Sequence, residues 1–270
     1  MKKKKISCYV VVCCLTFFTF WFSGCQKKPG QTVLNTPHKV VDSFGKQREY
    51  RLFYPIVNSG FRVPLLVYFH GVRSECFKQF PGLRNYTGSP VEETGLIEFC
   101  KNNNIALLVP EPAYEYKFHN CMCKGWSPFD KELDGVEKMI DLVVEKYSIS
   151  EKRIFLSGLS AGAAFCFHIA NRKPERYNSI LSHGQGSLYE DLRYLMPTQP
   201  GPKFGVLLAY TKGDYKNLIE ICQETEKIYK ENNYKVLLLK DLPPENHRWS
   251  ETSNELFWKY LNELGQYTGK

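Results

Sequence analysis

Arg153-Ile154-Phe155-Leu156-Ser157-Gly158-Leu159-Ser160-Ala161-Gly162-Ala163-Ala164-Phe165 is the stretch that decides the fold of this chain. Its first five residues, with Ile154, Phe155 and Leu156 at their centre, predict a strand. From 161 to 171 the chain is rich in Ala and Phe, which predicts a buried helix. Between them stands Gly158-Leu159-Ser160-Ala161-Gly162, a G-x-S-x-G pattern. A strand that turns at once into a helix brings two backbones almost into contact, so 158, 162 and 163 must be small. A serine on such a turn projects above the sheet, and the first N–H groups of the helix face it. The pattern by itself is weak; a strand before it and a helix after it make it specific. The bland alternative is a tight turn with an incidental serine.

Strands and helices alternate on either side. Residues 48–54 alternate like a strand and end at Pro55. Residues 64–69 are a continuous apolar run closed by His70-Gly71, and 105–109 are another, stopped by Pro110. Strands are also predicted at 179–182, 204–210 and 235–239. Apolar residues at three- and four-residue steps predict helices over 92–102, 130–147, 218–231 and 255–264. This order predicts an α/β fold, a mostly parallel sheet with helices on both faces. There is no internal repeat and no boundary within 38–270, so one domain is expected there.

A serine hydroxyl needs a base to become a nucleophile, and the base needs an acid to orient it. On a turn of this kind the partners follow in the order Ser, acid, His, each in a loop after a strand. His247 follows the last predicted strand and is the expected base. His38 falls in a tether, His168 inside the Ala-Phe helix, and His119 and His183 come too early in the chain. Asp214 follows the strand 204–210 and is the expected acid, with Asp241 as its rival; Asp191 precedes that strand. Expected oxyanion donors are the N–H groups of Ala161, after the serine, and of Val72, in the loop after 64–69.

With these residues in place, the chain resembles the α/β-hydrolase esterases, in the branch of polyhydroxybutyrate depolymerases, feruloyl and acetylxylan esterases and esterase D-like enzymes. The resemblance lies in 64–71, where His70-Gly71 is similar to the turn of lipases and esterases, in Asp134 and 153–162, in 173–177, and in Asn246-His247-Arg248-Trp249. It spans roughly residues 45–250. Ala163 stands where many members have Gly, and Val72 where many have Cys. Trp126 is similar to a family tryptophan near the cleft. The resemblance implies hydrolysis of a carboxylic ester through an acyl-enzyme, without cofactor or metal. The ester could be carbohydrate-linked, phenolic or a polyester. An acyltransferase using the same triad, or a binding lipoprotein that has lost the chemistry, are the alternatives; a peptidase lacks an evident lid or propeller domain. Tyr114, Tyr116 and Phe118 could line a site for a sugar or phenolic acid, or simply pack.

The N-terminus reads as an address. Lys2–Lys5 precede an apolar run over 6–22, followed by Ser23-Gly24-Cys25. A basic region, an apolar core and small residues before a cleavage point predict a secretory signal over 1–24. Phe22-Ser23-Gly24-Cys25 resembles a bacterial lipobox, with Phe22 where Leu is usual, so Cys25 is the expected lipidation site. An uncleaved anchor is the alternative, since about 20 apolar residues span a bilayer. The polar segment to residue 37 reads as a tether. All of these readings predict an extracytoplasmic, membrane-anchored domain.

The net charge is +8, of which Lys2–Lys5 supply four, and no acid precedes Asp42. The remaining basic residues are scattered among acids without a stripe, so no nucleic-acid partner is expected. Ten cysteines include Cys8, Cys13, Cys14 and Cys25; the other six are an even set compatible with disulfides after export. Cys121 and Cys123 are too close in sequence to favour one another. His119-x-Cys121-x-Cys123 lacks a fourth ligand at fitting spacing, so no metal site is expected.

Overall fold

A computed structural model describes residues 35–56, 60–74, 87–118, 121–126, 129–186 and 201–263. Eight strands form one sheet: β1 (Thr36–Val41), β2 (Gln47–Phe53), β3 (Val63–Phe69), β4 (Ala106–Pro110), β7 (Ile149–Leu159), β8 (Ser179–His183), β9 (Gly205–Thr211) and β10 (Val236–Leu242). Their order across the sheet is β1-β2-β4-β3-β7-β8-β9-β10. The β1–β2 and β2–β4 pairs are antiparallel, and the pairs from β4 to β10 are parallel. The expected mostly parallel sheet is therefore present. β5 (Glu115–Phe118) and β6 (Cys121–Lys124) form a separate antiparallel ribbon.

Side chains alternate across each strand and so feed two cores. Leu65, Val67 and Phe69 of β3 face one cluster with Val136, Met139, Ile140 and Val143 of helix α2 (Phe129–Lys146). Phe165, Phe167 and Ala170 of α3 (Ala161–Arg172) join it, and so does Tyr229 of α4 (Lys216–Glu231). Leu66 and Tyr68 face the other cluster. It holds Leu96 and Phe99 of α1 (Leu96–Asn102) and Phe257 and Leu261 of α5 (Thr252–Glu263). Burying each such aliphatic or aromatic side chain is worth roughly 1.5–3 kcal/mol. The central strands are predominantly apolar because both faces are covered: β3 and β9 are buried throughout.

Several expectations need correction. His38 was expected in a tether; it lies in β1, and its ring stacks on Tyr50 of β2 at 4.9 Å. The polar, proline-bearing β1 carries no apolar alternation because it is an edge strand, and pairing with β2 holds it. The last strand runs past 239 to Leu242, with a shift of register between Leu239 and Leu242 and a positive φ of 53° at Asp241. The β5–β6 ribbon is too short to announce itself. The predicted signal over 1–24, Cys25 and most of the tether to residue 37, with His119 and Asp191, lie outside the described residues. No helix among the described residues is long and apolar enough to cross a membrane.

A buried ion network closes the β1–β2 end. Arg48 is fully buried; its Nε donates to Asp42 Oδ2 at 2.7 Å, and its guanidinium also pairs with Glu132. Glu132 in turn accepts the N–H groups of Ala113 at 3.0 Å and Tyr114 at 2.9 Å. The Tyr114 ring lies 5.0 Å from the Arg48 guanidinium and is flanked by Lys46 and Lys131. Tyr114 thus makes cation contacts at this end of the sheet.

Candidate active site

β7 runs directly into Ser160, and α3 leaves it. Ser160 has φ 54° and ψ −121°, a conformation that costs a non-glycine residue on the order of 1–3 kcal/mol. The surrounding structure holds it there: Ser160 N–H donates to His183 O at 2.9 Å, and Ser160 O accepts from Ala164 N–H at 3.1 Å. The need for small flanking residues is visible. A Cβ on Gly158 would lie 2.7 Å from Ala163 N, and one on Gly162 would lie 2.6 Å from His70 O. The turn can form only with the strand and helix backbones in contact.

Asp214 and His247 are brought together. Asp214 sits in the turn after β9, where its Oδ2 accepts Thr211 N–H at 2.7 Å. Its Oδ1 is hydrogen-bonded to His247 Nδ1. Both side chains are buried, at 0% and 6% exposure, so the pair is shielded from water. Thr211 Oγ1 donates to Asn246 O at 2.5 Å, tying the acid loop to the histidine loop. Gly213 makes this possible, since a Cβ there would lie 2.7 Å from Asn246 N. The rival Asp241 is exposed.

The loop after β3 is held on both sides of Val72. Gly71 N–H donates to Gly88 O at 2.7 Å, and Arg73 exchanges two backbone hydrogen bonds of 2.9 Å with Lys124. Among the described residues the N–H groups of Val72 and Ala161 have no acceptor. His70 is buried and structural. Its Nδ1–H meets Gly71 O at 2.5 Å, and its Nε2 faces Arg73 at 2.7 Å. Burial holds its pKa below the usual histidine value. Burial alone would raise Glu111, but His70 and Arg73 beside it bring its carboxyl down to about 2. Trp126 is fully buried; its Nε1–H donates to His70 O at 2.8 Å, and its ring stacks on Phe165 at 5.2 Å. It supports the loop from beneath.

Ser160 Oγ has no hydrogen-bond partner among the described residues. What links the serine turn to the Asp214–His247 pair is the end of β8. His183 O holds Ser160 N–H, and the next residue, Gly184, lies against the pair. A Cβ on Gly184 would fall 2.8 Å from His247 Cε1 and 3.3 Å from Asp214 Oδ1. Sequence reasoning passed over His183 and Gly184. The available signal was their position at the carboxyl end of a central strand, where ligands bind in open α/β sheets.

No protein-family profile matches the chain, and neither does any curated protein. Solved structures do match. A thermostable esterase superposes with a TM-score of 0.59 at 21% identity, covering 84% of this chain and 62% of its own. The S-formylglutathione hydrolase FrmB of Staphylococcus aureus gives 0.59 at 13% identity, covering 88% and 100%. A ferulic acid esterase gives 0.54 at 11% identity, covering 88% and 100%. Acylaminoacyl peptidases are also among the matches. The chain spans less than two thirds of the thermostable esterase. It has the α/β-hydrolase fold, as the motifs around Ser160 implied.

Proposed function

We propose that this chain is a serine esterase acting through Ser160, His247 and Asp214. The observation that carries the reading is the buried Asp214–His247 hydrogen bond at the strand ends where Ser160 stands on a strained turn. In this reaction Ser160 Oγ attacks the ester carbonyl while His247 Nε2 takes its proton. The imidazolium returns that proton to the leaving alcohol, and Asp214 holds Nδ1–H and stabilises the charged ring. The unengaged N–H groups of Val72 and Ala161 are the donors for the oxyanion, each worth roughly 3–4 kcal/mol if it acts as in related holes. Water, deprotonated by His247, then releases the acyl group. Hydrogen bonds to a nucleophile often tighten only when substrate binds, so the unpaired Ser160 Oγ fits the resting state.

The same reading sets this domain outside the cytoplasm, tethered by a lipid on Cys25 after removal of residues 1–24. Its support is the sequence of the leader. Incorporation of a labelled fatty acid that stops in Cys25→Ser tests the anchor; label retained by the variant overturns it.

The experiment for the activity is p-nitrophenyl acetate hydrolysis by a soluble form beginning after Cys25, beside Ser160→Ala. Turnover by the parent and none by the variant is expected. Labelling of Ser160 by a fluorophosphonate gives a substrate-independent readout. A folded parent that neither turns over nor labels overturns the proposal. Feruloyl, acetylxylan and hydroxybutyrate esters, with acyl-peptides as comparison, then rank the substrate classes.

A further inference from the structure

His183 is buried at the end of β8, yet it is badly provided for as a core residue. Its Nδ1 has no hydrogen-bond partner among the described residues. Leaving a buried N–H unmet costs roughly 1–3 kcal/mol, which an apolar ring of similar size would avoid. A local rule broken in this way commonly marks a functional neighbourhood. The other ring nitrogen shows what the imidazole supplies. Nε2 accepts the backbone N–H of Ser250 at 3.1 Å, three residues after His247. An accepting Nε2 leaves the single ring proton on Nδ1.

The same residue touches both the serine turn and the histidine loop. Its carbonyl accepts Ser160 N–H at 2.9 Å. Its ring stacks on Trp249 at 5.3 Å. It pairs with Leu159 on one side and Ala209 on the other within the sheet. The preceding N–H of the histidine loop, that of Trp249, is accepted by Ser89 Oγ at 3.2 Å. Two successive amides after His247 are therefore each held by a distant side chain, one from the loop at Ser89 and one from the end of β8.

We propose that His183 is a positioning residue of the esterase site: its Nε2 pins the loop carrying His247 to the turn carrying Ser160. This rests on the assignment of Ser160 and His247 given above. Burial keeps the ring neutral, and thus able to accept, down to a pKa of about 4; His247 opposes its protonation as well, while Asp214 favours it.

The test compares the parent with His183→Phe, which keeps the ring and loses the acceptor, and His183→Gln, whose amide oxygen can replace Nε2. His183→Asn, too short to reach Ser250, stands in if the Phe variant does not fold. The expected result is a loss of roughly tenfold to a hundredfold in kcat for Phe or Asn, with KM little changed, because a displaced base costs rate rather than binding. Gln should recover most of it. Parent-like kcat in a folded Phe or Asn variant, or no recovery with Gln, overturns the proposal. Amide hydrogen exchange at 247–250 is read in the same proteins and needs no activity. Faster exchange in Phe or Asn than in the parent and Gln is expected; equal exchange overturns the proposal. A parent that exchanges as expected but never labels at Ser160 would instead sink the esterase reading.

Discussion

Gly184 lies directly against His247, in a backbone conformation with φ +64° that leaves no place for a side chain. A Cβ there would sit 2.8 Å from the imidazole Cε1 and 3.0 Å from Nδ1. Gly184→Ala should therefore push the ring off Asp214. A fall of roughly a hundredfold in ester turnover is expected, with a stability loss of about 1–2 kcal/mol from the left-handed conformation. Steady-state kinetics beside urea denaturation separates the two. Unchanged kcat would show that the ring tolerates the intrusion.

Asp214→Asn should keep the shape of the acid loop and lose the charge that orients His247. A loss of three to four orders of magnitude in kcat is expected, with KM nearly constant. Asp241→Asn, at the exposed bulge of β10, should behave like the parent. If the two variants change places in p-nitrophenyl acetate assays, the acid has been misassigned.

The Arg48 network governs stability away from the chemistry. Glu132→Ala would leave the buried guanidinium with Asp42 as its remaining carboxylate partner and free the N–H groups of Ala113 and Tyr114. About 3–5 kcal/mol of destabilisation is expected. Gly135→Ala attacks the same place sterically, since its Cβ would lie 2.6 Å from Arg48 Cζ. Urea midpoints of both variants should fall, while activity per folded molecule holds.

Acid sensitivity has two stages with a definite sign. The folded pKa of His183, about 4, lies below its ordinary 6.5. Between those values the unfolded chain takes up a proton that the folded one refuses, so stability falls as pH drops from 6.5 towards 4. Glu111, held at about 2 against an ordinary 4.5, adds a second decline from 4.5 towards 2. His183→Gln should make the first stage shallower, with His168 and His70 keeping the rest of it, and Glu111→Gln should do the same for the second, read as thermal midpoints across pH. Parallel curves for parent and variants would refute the assignment.

Local chemistry made much of this protein legible. The strained turn at Ser160 is written in Gly158, Ser160 and Gly162, because only small residues permit that contact. The buried strands and α2 follow from apolar runs and three- and four-residue spacing. Asp214 and His247 could be picked out because each follows a strand, and the two side chains do meet. Lysines, an apolar run and Cys25 at the N-terminus predict an export signal, on which the described fold does not bear.

Other features depend on partners far away in sequence. β1 is a strand only because β2 offers it hydrogen bonds, and the bulge at Asp241 arises where β10 shifts register on β9. The order of strands across the sheet is set by which faces the helices cover. His183 looked like one histidine among six until β8 was laid between β7 and β9. Only that placement brings its carbonyl to Ser160 and its Nε2 to Ser250, across 23 and 67 positions of chain respectively. Periodicity records which face of an element is buried, but contacts over such separations are fixed by the packing of whole elements, and no short stretch of sequence carries them.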